Sequence, residues 1–351
     1  MTNPERDPGE LVLERGTAAD VAEILSPREV PLGGPRAMRV RRTLPQRHRS
    51  LIGAWCFVDH YGPDHVADSG GMSVAPHPHT GLQTVSWLFT GEIEHRDSAG
   101  HHATVRPGEL NLMTAGRGIS HSEVSTPATD VLHGVQLWVA LPDESRSTEP
   151  GLEHHAPEPV EGPGWEVRVF LGSLLGATSP VTTHTPLLGA ELLLASGTEL
   201  ELDVEPGFEH GVLVDQGVLT VAEEEVKQHE LAYLPPGPAG LRLVAHDGPA
   251  RVLLLGGTPF GESIVMWWNF VGRSHEEIVG FREEWQEQVL DRSGPARSPD
   301  EAGGLREPDG ARRVVADGQL VRPGRFGVVV GDHLAPIPAP ALPNARLRGR
   351  R

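Results

Sequence analysis

The chain has 351 residues, enough for one large or two ordinary domains. No stretch approaches the run of about 18 apolar residues that a membrane-spanning helix needs, and a single cysteine, Cys56, excludes an internal disulfide and a cysteine-based zinc site. One lysine (Lys227) and no Gly-Lys-Ser/Thr sequence exclude a P-loop, and a net charge of -18 argues against direct nucleic-acid binding.

The first residues, MTNPERDPGE, lack the basic-then-apolar order of a secretory signal, so a cytoplasmic protein without membrane association is expected. Residues 1–36 read as an N-terminal extension. In it Thr17 predicts the cap of a short helix running to about Leu25. From Met38 onward, short apolar or alternating runs are divided by turn residues. Leu51–Val58, Thr84–Phe89, Glu92–His95, Glu109–Met113 and Val131–Leu141 are the strand candidates, separated by Gly62-Pro63, Ser69-Gly70-Gly71, Ser98-Ala99-Gly100 and Arg106-Pro107-Gly108. This spacing predicts an antiparallel barrel or sandwich over residues 37–150.

The stretch Pro142 to Gly164 reads as a linker with a connecting strand. A second series over residues 151–290 follows with Trp165–Leu171, Glu191–Ala195, Glu199–Val204, Gly211–Val221, Glu230–Leu234, Leu241–His246 and Arg251–Leu255. The two halves match in pattern, so the fold class is all-β with two copies of one barrel. Ser274-His275-Glu276-Glu277 has capping-box character and opens an amphipathic helix to about Leu290. Residues 291–351, with eleven arginines against seven acids, lack sustained periodicity and read as a mobile tail with one stray strand at Arg325–Val330.

Histidine carries the chemistry. Of 18 histidines, 12 fall within residues 48–155, a density that favours a transition-metal site. The sharpest constellation is His77-Pro78-His79, followed 42 residues after His79 by His121-Ser122-Glu123. Residues two apart on a strand share a face, so opposed His-x-His and His-x-Glu strands would aim three imidazoles and a carboxylate at one point. Such a set suits Fe, Mn, Ni, Cu or Zn, and leaves open positions on a six-coordinate ion. The plainer reading is a polar strand face with surface histidines.

Four segments together resemble the pirin family. They are Phe57-Val58-Asp59-His60-Tyr61-Gly62-Pro63, His77-Pro78-His79-Thr80-Gly81, Gly91 to Ser98, and the highly specific Met113 to Glu123. Leu255-Gly256-Gly257 through Asn269-Phe270-Val271 resembles its C-terminal signature. The likeness spans residues 37–290 and implies a bicupin, two jelly-roll barrels of which the first holds one metal. By this resemblance the ligands are His77, His79, His121 and Glu123, and Fe(II) is the first expectation, with Mn, Ni, Cu or Zn as alternatives. Gln83 stands where most relatives have glutamate, removing a negative charge near the site. Ser263 and Trp267-Trp268 also depart from the common pattern and bear on local packing.

The second barrel has no matching quartet. His210, His229 and His246 read as isolated, and that barrel is expected to be metal-free. His101-His102 and His154-His155 read as solvated, His95-Arg96-Asp97 as a strand end held by an Arg–Asp pair, and Cys56 as an inert core thiol. Ser120-His121 lacks a Gly-x-Ser-x-Gly elbow.

The resemblance implies a metal-dependent cupin dioxygenase that opens a flavonol such as quercetin by 2,3-dioxygenation. The substrate enolate would bind the metal, and Glu123 would serve as ligand and general base. The partners expected are a small phenolic or enol substrate and O2, with the chain a monomer. The alternatives are a pirin-like regulator whose iron state controls capture of a protein partner, and a phenolic-binding protein without turnover.

Overall fold

The computed structural model describes residues 22–32, 38–292, 314–316, 319–321 and 324–350. Each half of the molecule contains one seven-stranded and one four-stranded antiparallel sheet. In the first half the large sheet runs, in spatial order, Gly151–His155, Leu110–Thr114, Leu82–Thr90, Val131–Ala140, Trp55–His65, Met38–Leu44 and Arg28–Leu32. Its small sheet runs Ser73–His79, Ile119–Ser125, Ile93–Asp97 and His102–Val105. The second half repeats the plan, with Leu187–Leu194, Glu209–Gln216 and Ala250–Gly257 at the centre of its large sheet. The expected strand Gly211–Val221 is two strands, because Gly217 turns the chain at φ 84°.

Period-2 alternation builds three apolar layers from these sheets. In the second half Val252 and Leu254 point into its own core with Leu200, Leu202, Leu241 and Leu243 of the small sheet. Leu253 and Leu255, one residue out of phase, point the other way and pack with Val85, Trp87, Val135 and Leu137 of the first half. The two large sheets are therefore apolar on both faces and stack back to back. The third layer, with Val40, Tyr61, Val74, Ile93 and Val105, fills the first half. Among the described residues no helix is long and apolar enough to cross a membrane.

Several expectations change. The predicted helix at 17–25 falls partly outside the described residues, and Glu23–Leu25 is the edge strand of the second barrel's large sheet, paired with Leu231–Leu234. Arg28–Leu32 then joins Met38–Leu44 of the first. Open sheet edges offer this segment backbone partners, and Leu25 is buried between the barrels, a combination that local helix signals do not weigh. Gly151–His155 pairs with Leu110–Thr114, so the chain leaves the first barrel after His155 rather than at 150.

The helix His275–Arg292 forms as expected, with Glu277 N–H donating to Ser274 Oγ at 3.2 Å. Its buried Ile278 and Trp285, with Phe281 and Val289, form one stripe. The mobile-tail expectation fails for residues 324–350. Phe326, Ala339 and Leu347 are buried against that helix, Trp285 Nε1 donates to the Ile337 carbonyl at 2.8 Å, and Ile337 N–H donates to the Pro76 carbonyl at 2.9 Å. Arg325–Val330 is irregular rather than a strand. A proline-rich path buries side chains at uneven spacing, so no periodicity marks it in the sequence.

Candidate metal centre in the first barrel

The small sheet of the first barrel carries the site. The strand Ile119–Ser125 lies between Ser73–His79 and Ile93–Asp97. His121 stands opposite His77 on one side and opposite Asp97 on the other, while Glu123 stands opposite His95. Opposed residues share a face, as do residues two apart. His77, His79, His121, Glu123, His95 and Asp97 therefore project together, towards the face that buries Val74 and Ile93. A register shift between His121 and Glu123 adds a bulge, a feature that re-aims side chains.

His77, His79 and His121 are fully buried and Glu123 is 1% exposed. The ligand-capable atoms of His77, His79 and His121 lie within 4.8 Å of one another. Those of His95, His121 and Glu123 meet the same limit, so Glu123 is joined to the other pair through His121 rather than in one four-way group. His77 Nδ1 donates to the Ala75 carbonyl at 2.9 Å and His79 Nδ1 to the Asn269 carbonyl at 3.0 Å. A carbonyl only accepts, so both rings carry their proton on Nδ1 and turn the Nε2 lone pair inward. The Nε2 atoms of His77, His79 and His121 are buried with no hydrogen-bond partner among the described residues.

That is the test of fit for a metal. Leaving one buried polar atom unpaired costs about 1–3 kcal/mol, and here three converge. Burial, together with the other histidines, holds His77 and His121 well below the ordinary imidazole pKa, and burial does the same for His79. All three are therefore neutral near pH 7, the form that ligates. The residues fit a divalent transition metal bound through nitrogen and carboxylate oxygen.

The surroundings are also ordered. Ser86 Oγ lies 2.9 Å from Gln136 Oε1 and 3.3 Å from Glu123 Oε1. Burial, with the Glu123 charge adding to it, holds the Tyr61 phenol well above its usual range. Trp138 stands edge-on to His79 at 5.1 Å and stacks on Phe57 at 4.1 Å. On the opposite face of the sheet, Ser120 Oγ donates to the Phe326 carbonyl at 2.9 Å, so the C-terminal arm backs the His121 strand.

Sequence reasoning missed His95 and the Asn269 carbonyl. His95 Nδ1 lies 3.4 Å from His121 Nδ1. The expected Arg96–Asp97 pair does not form, because adjacent strand residues face opposite sides. Arg96 pairs with Glu94, whereas Asp97 takes His95 Nε2 at 3.3 Å and His101 Nδ1 at 3.0 Å. The same i, i+2 rule that singled out His77 and His79 would have found His95 and Asp97. A backbone carbonyl such as that of Asn269 has no sequence signature.

Gln83 is buried and donates to Thr114 Oγ1 at 2.9 Å. Trp267 and Trp268 are buried around Phe270. His229 is not isolated, since its ring lies 5.0 Å from that of His60 in the first barrel. His154 Nδ1 lies 2.6 Å from Asn111 Oδ1. Cys56 is buried, which pushes its thiol up to about 12.

The comparisons with known proteins agree with this architecture. Residues 37–139 match the family model described as Pirin, and residues 189–291 match that of the Pirin C-terminal cupin domain. The chain belongs to the pirin family. This pirin is 45% identical over 285 residues to a Pseudomonas aeruginosa protein named "putative quercetin 2,3-dioxygenase", covering 81% of this chain and 86% of that one. It is 35% identical to a pirin-like protein of Caulobacter vibrioides, over 70% of this chain and 88% of the relative. A crystal structure of quercetin 2,3-dioxygenase from Acinetobacter baumannii superposes with a TM-score of 0.78 at 34% identity, covering 93% of this pirin and 98% of that chain. The structure is thus an all-β bicupin with two cupin domains.

Proposed function

We propose that this pirin is a metal-dependent dioxygenase that opens a flavonol such as quercetin, with His77, His79, His121 and Glu123 holding one divalent transition metal, Fe(II) first among the candidates. One observation carries the reading: three buried imidazoles, two of them fixed in tautomer by backbone carbonyls, turn unpartnered Nε2 atoms towards one another beside a buried carboxylate. The names of the Pseudomonas and Acinetobacter relatives point to the same substrate class.

A bound metal supplies Lewis acidity toward a flavonol hydroxyl and one-electron chemistry toward O2. The protein supplies the rest. Glu123 accepts the hydroxyl proton, and Ser86 beside Oε1 helps to hold the carboxylate in place. His95 orients the His121 ring, itself steadied by Asp97. Trp138 and Phe57 form an apolar wall next to His79, a surface suited to a planar aromatic substrate and to excluding water.

The test is aerobic quercetin turnover by protein reconstituted with Fe(II), Mn(II), Ni(II) or Cu(II), followed by loss of flavonol absorbance. Metal-dependent loss in the wild type and its absence in His121→Ala is the expected result. Protein with a filled site and no metal-dependent turnover would remove the dioxygenase reading.

A further inference from the structure

A second group of ligand-type side chains lies away from this centre, where the two barrels meet. His60 and His133 come from the strands Trp55–His65 and Val131–Ala140 of the first barrel, and Asp215 comes from Glu209–Gln216 of the second. The i, i+2 pattern puts them on the faces that stack back to back. His133 continues the row of Val135, Leu137 and Val139; Asp215 continues that of Leu213; His60 pairs directly with Val135. Polar residues at the rim of an apolar seam need a reason, because each must be desolvated when the barrels pack.

Their geometry supplies one. His60 Nε2 and His133 Nε2 each lie 2.6 Å from the same oxygen, Asp215 Oδ1, and 3.4 Å from each other. The His60 side chain is 1% exposed and that of Asp215 fully buried. Two nitrogens at about 2.0–2.1 Å from a tetrahedral zinc ion stand about 3.4 Å apart, the separation found here. Asp215 Oδ1 sits at hydrogen-bond distance from both rings and would draw back by about 0.7 Å to admit the ion. Arg251 Nη1, 3.4 Å from Asp215 Oδ2, occupies the other carboxylate oxygen and turns Oδ1 toward the imidazoles. Arg251 in turn lies over Phe89 at 4.8 Å, and Phe89 packs edge-on against His133. His229 brings a third imidazole from the second barrel, its ring 5.0 Å from that of His60, on a backbone at φ 74°.

We propose that His60, His133 and Asp215 form a second metal site, for a zinc-like divalent transition ion, that staples the two barrels together, with His229 or water as fourth ligand. The site is built from both halves of the chain and shares no ligand with the centre around His121. It does not depend on the dioxygenase reading.

The experiment measures metal stoichiometry on the full chain. Protein stripped with chelator is saturated with Zn2+, desalted and assayed for zinc, as wild type and as Asp215→Asn and His133→Ala. Two equivalents in the wild type and one in each variant are expected. A wild-type zinc content that neither substitution lowers by one equivalent overturns the proposal. Because a substitution in the seam can compromise folding, zinc-edge anomalous diffraction of the wild type gives a second reading. A peak between His60 Nε2 and His133 Nε2 supports the site, and its absence from a zinc-saturated crystal overturns it.

Discussion

Replacing Arg42 tests how the candidate metal centre is braced from behind. Arg42 holds Asp59 in a bidentate pair, Nε to Oδ1 at 2.7 Å and Nη2 to Oδ2 at 2.8 Å, with side-chain exposures of 1% and 0%. Its guanidinium also lies over Phe57 at 4.3 Å, and Phe57 stacks on Trp138, which meets His79. Arg42→Met keeps an apolar stem against Phe57 and removes both donors from the buried Asp59 carboxylate. Breaking a buried pair from one side costs about 3–5 kcal/mol, whereas an exposed pair is worth about 0–1 kcal/mol. The double variant Arg42→Met/Asp59→Leu removes the orphaned charge and recovers most of that loss. Urea unfolding of the full chain measures both. A loss below about 1 kcal/mol in the single variant, or no recovery in the double, refutes the reasoning.

Other consequences follow from the same structure. His121→Ala removes the imidazole shared by both ligand groups of the centre, so metal analysis of the purified variant is expected to show that equivalent lost; full occupancy would contradict the assignment. Burial lowers His210 to about 4 and lowers His77, His79 and His121 in the same direction. Each stays neutral in the fold while the unfolded chain takes up a proton near pH 6.5, so this stability is present above about pH 6.5 and fades as pH falls toward the folded values. Thermal melts of the chelated chain between pH 7 and pH 4 should show it, and His210→Gln should flatten part of the slope; superimposable profiles would discount His210. Glu191 behaves in the opposite sense. Burial raises it to about 7 against the pull of Arg251 and of the Trp87 Nε1 donor at 3.1 Å. Its contribution is present below its unfolded value of about 4.3 and is lost as pH rises through about 7. Glu191→Gln should therefore melt higher than wild type above pH 7 and converge with it in acid, and equal melting points at both ends would rule this out.

The amino-acid sequence by itself determined most strands of the two barrels and the pairing of ligand-type side chains within a strand. Turn residues every ten or so positions specify short strands, and the doubling of that pattern specifies two barrels. His-x-His and His-x-Glu need only the period of a strand to put His77 with His79 and His121 with Glu123, since alternation is a property of the extended backbone. What joins those pairs is register, and register is tertiary: His121 meets His77 only because two strands some forty residues apart pair with a particular offset. The same holds for the Asn269 carbonyl that orients His79 and for Glu23–Leu25, a strand because the second barrel offers it an edge. It holds too for the arm at 324–350, whose buried residues follow no period. His60, His133 and Asp215 lie in three separate strands and carry no shared motif. They meet only when two apolar sheet faces stack, because local patterning states which way a side chain points and packing decides what it faces.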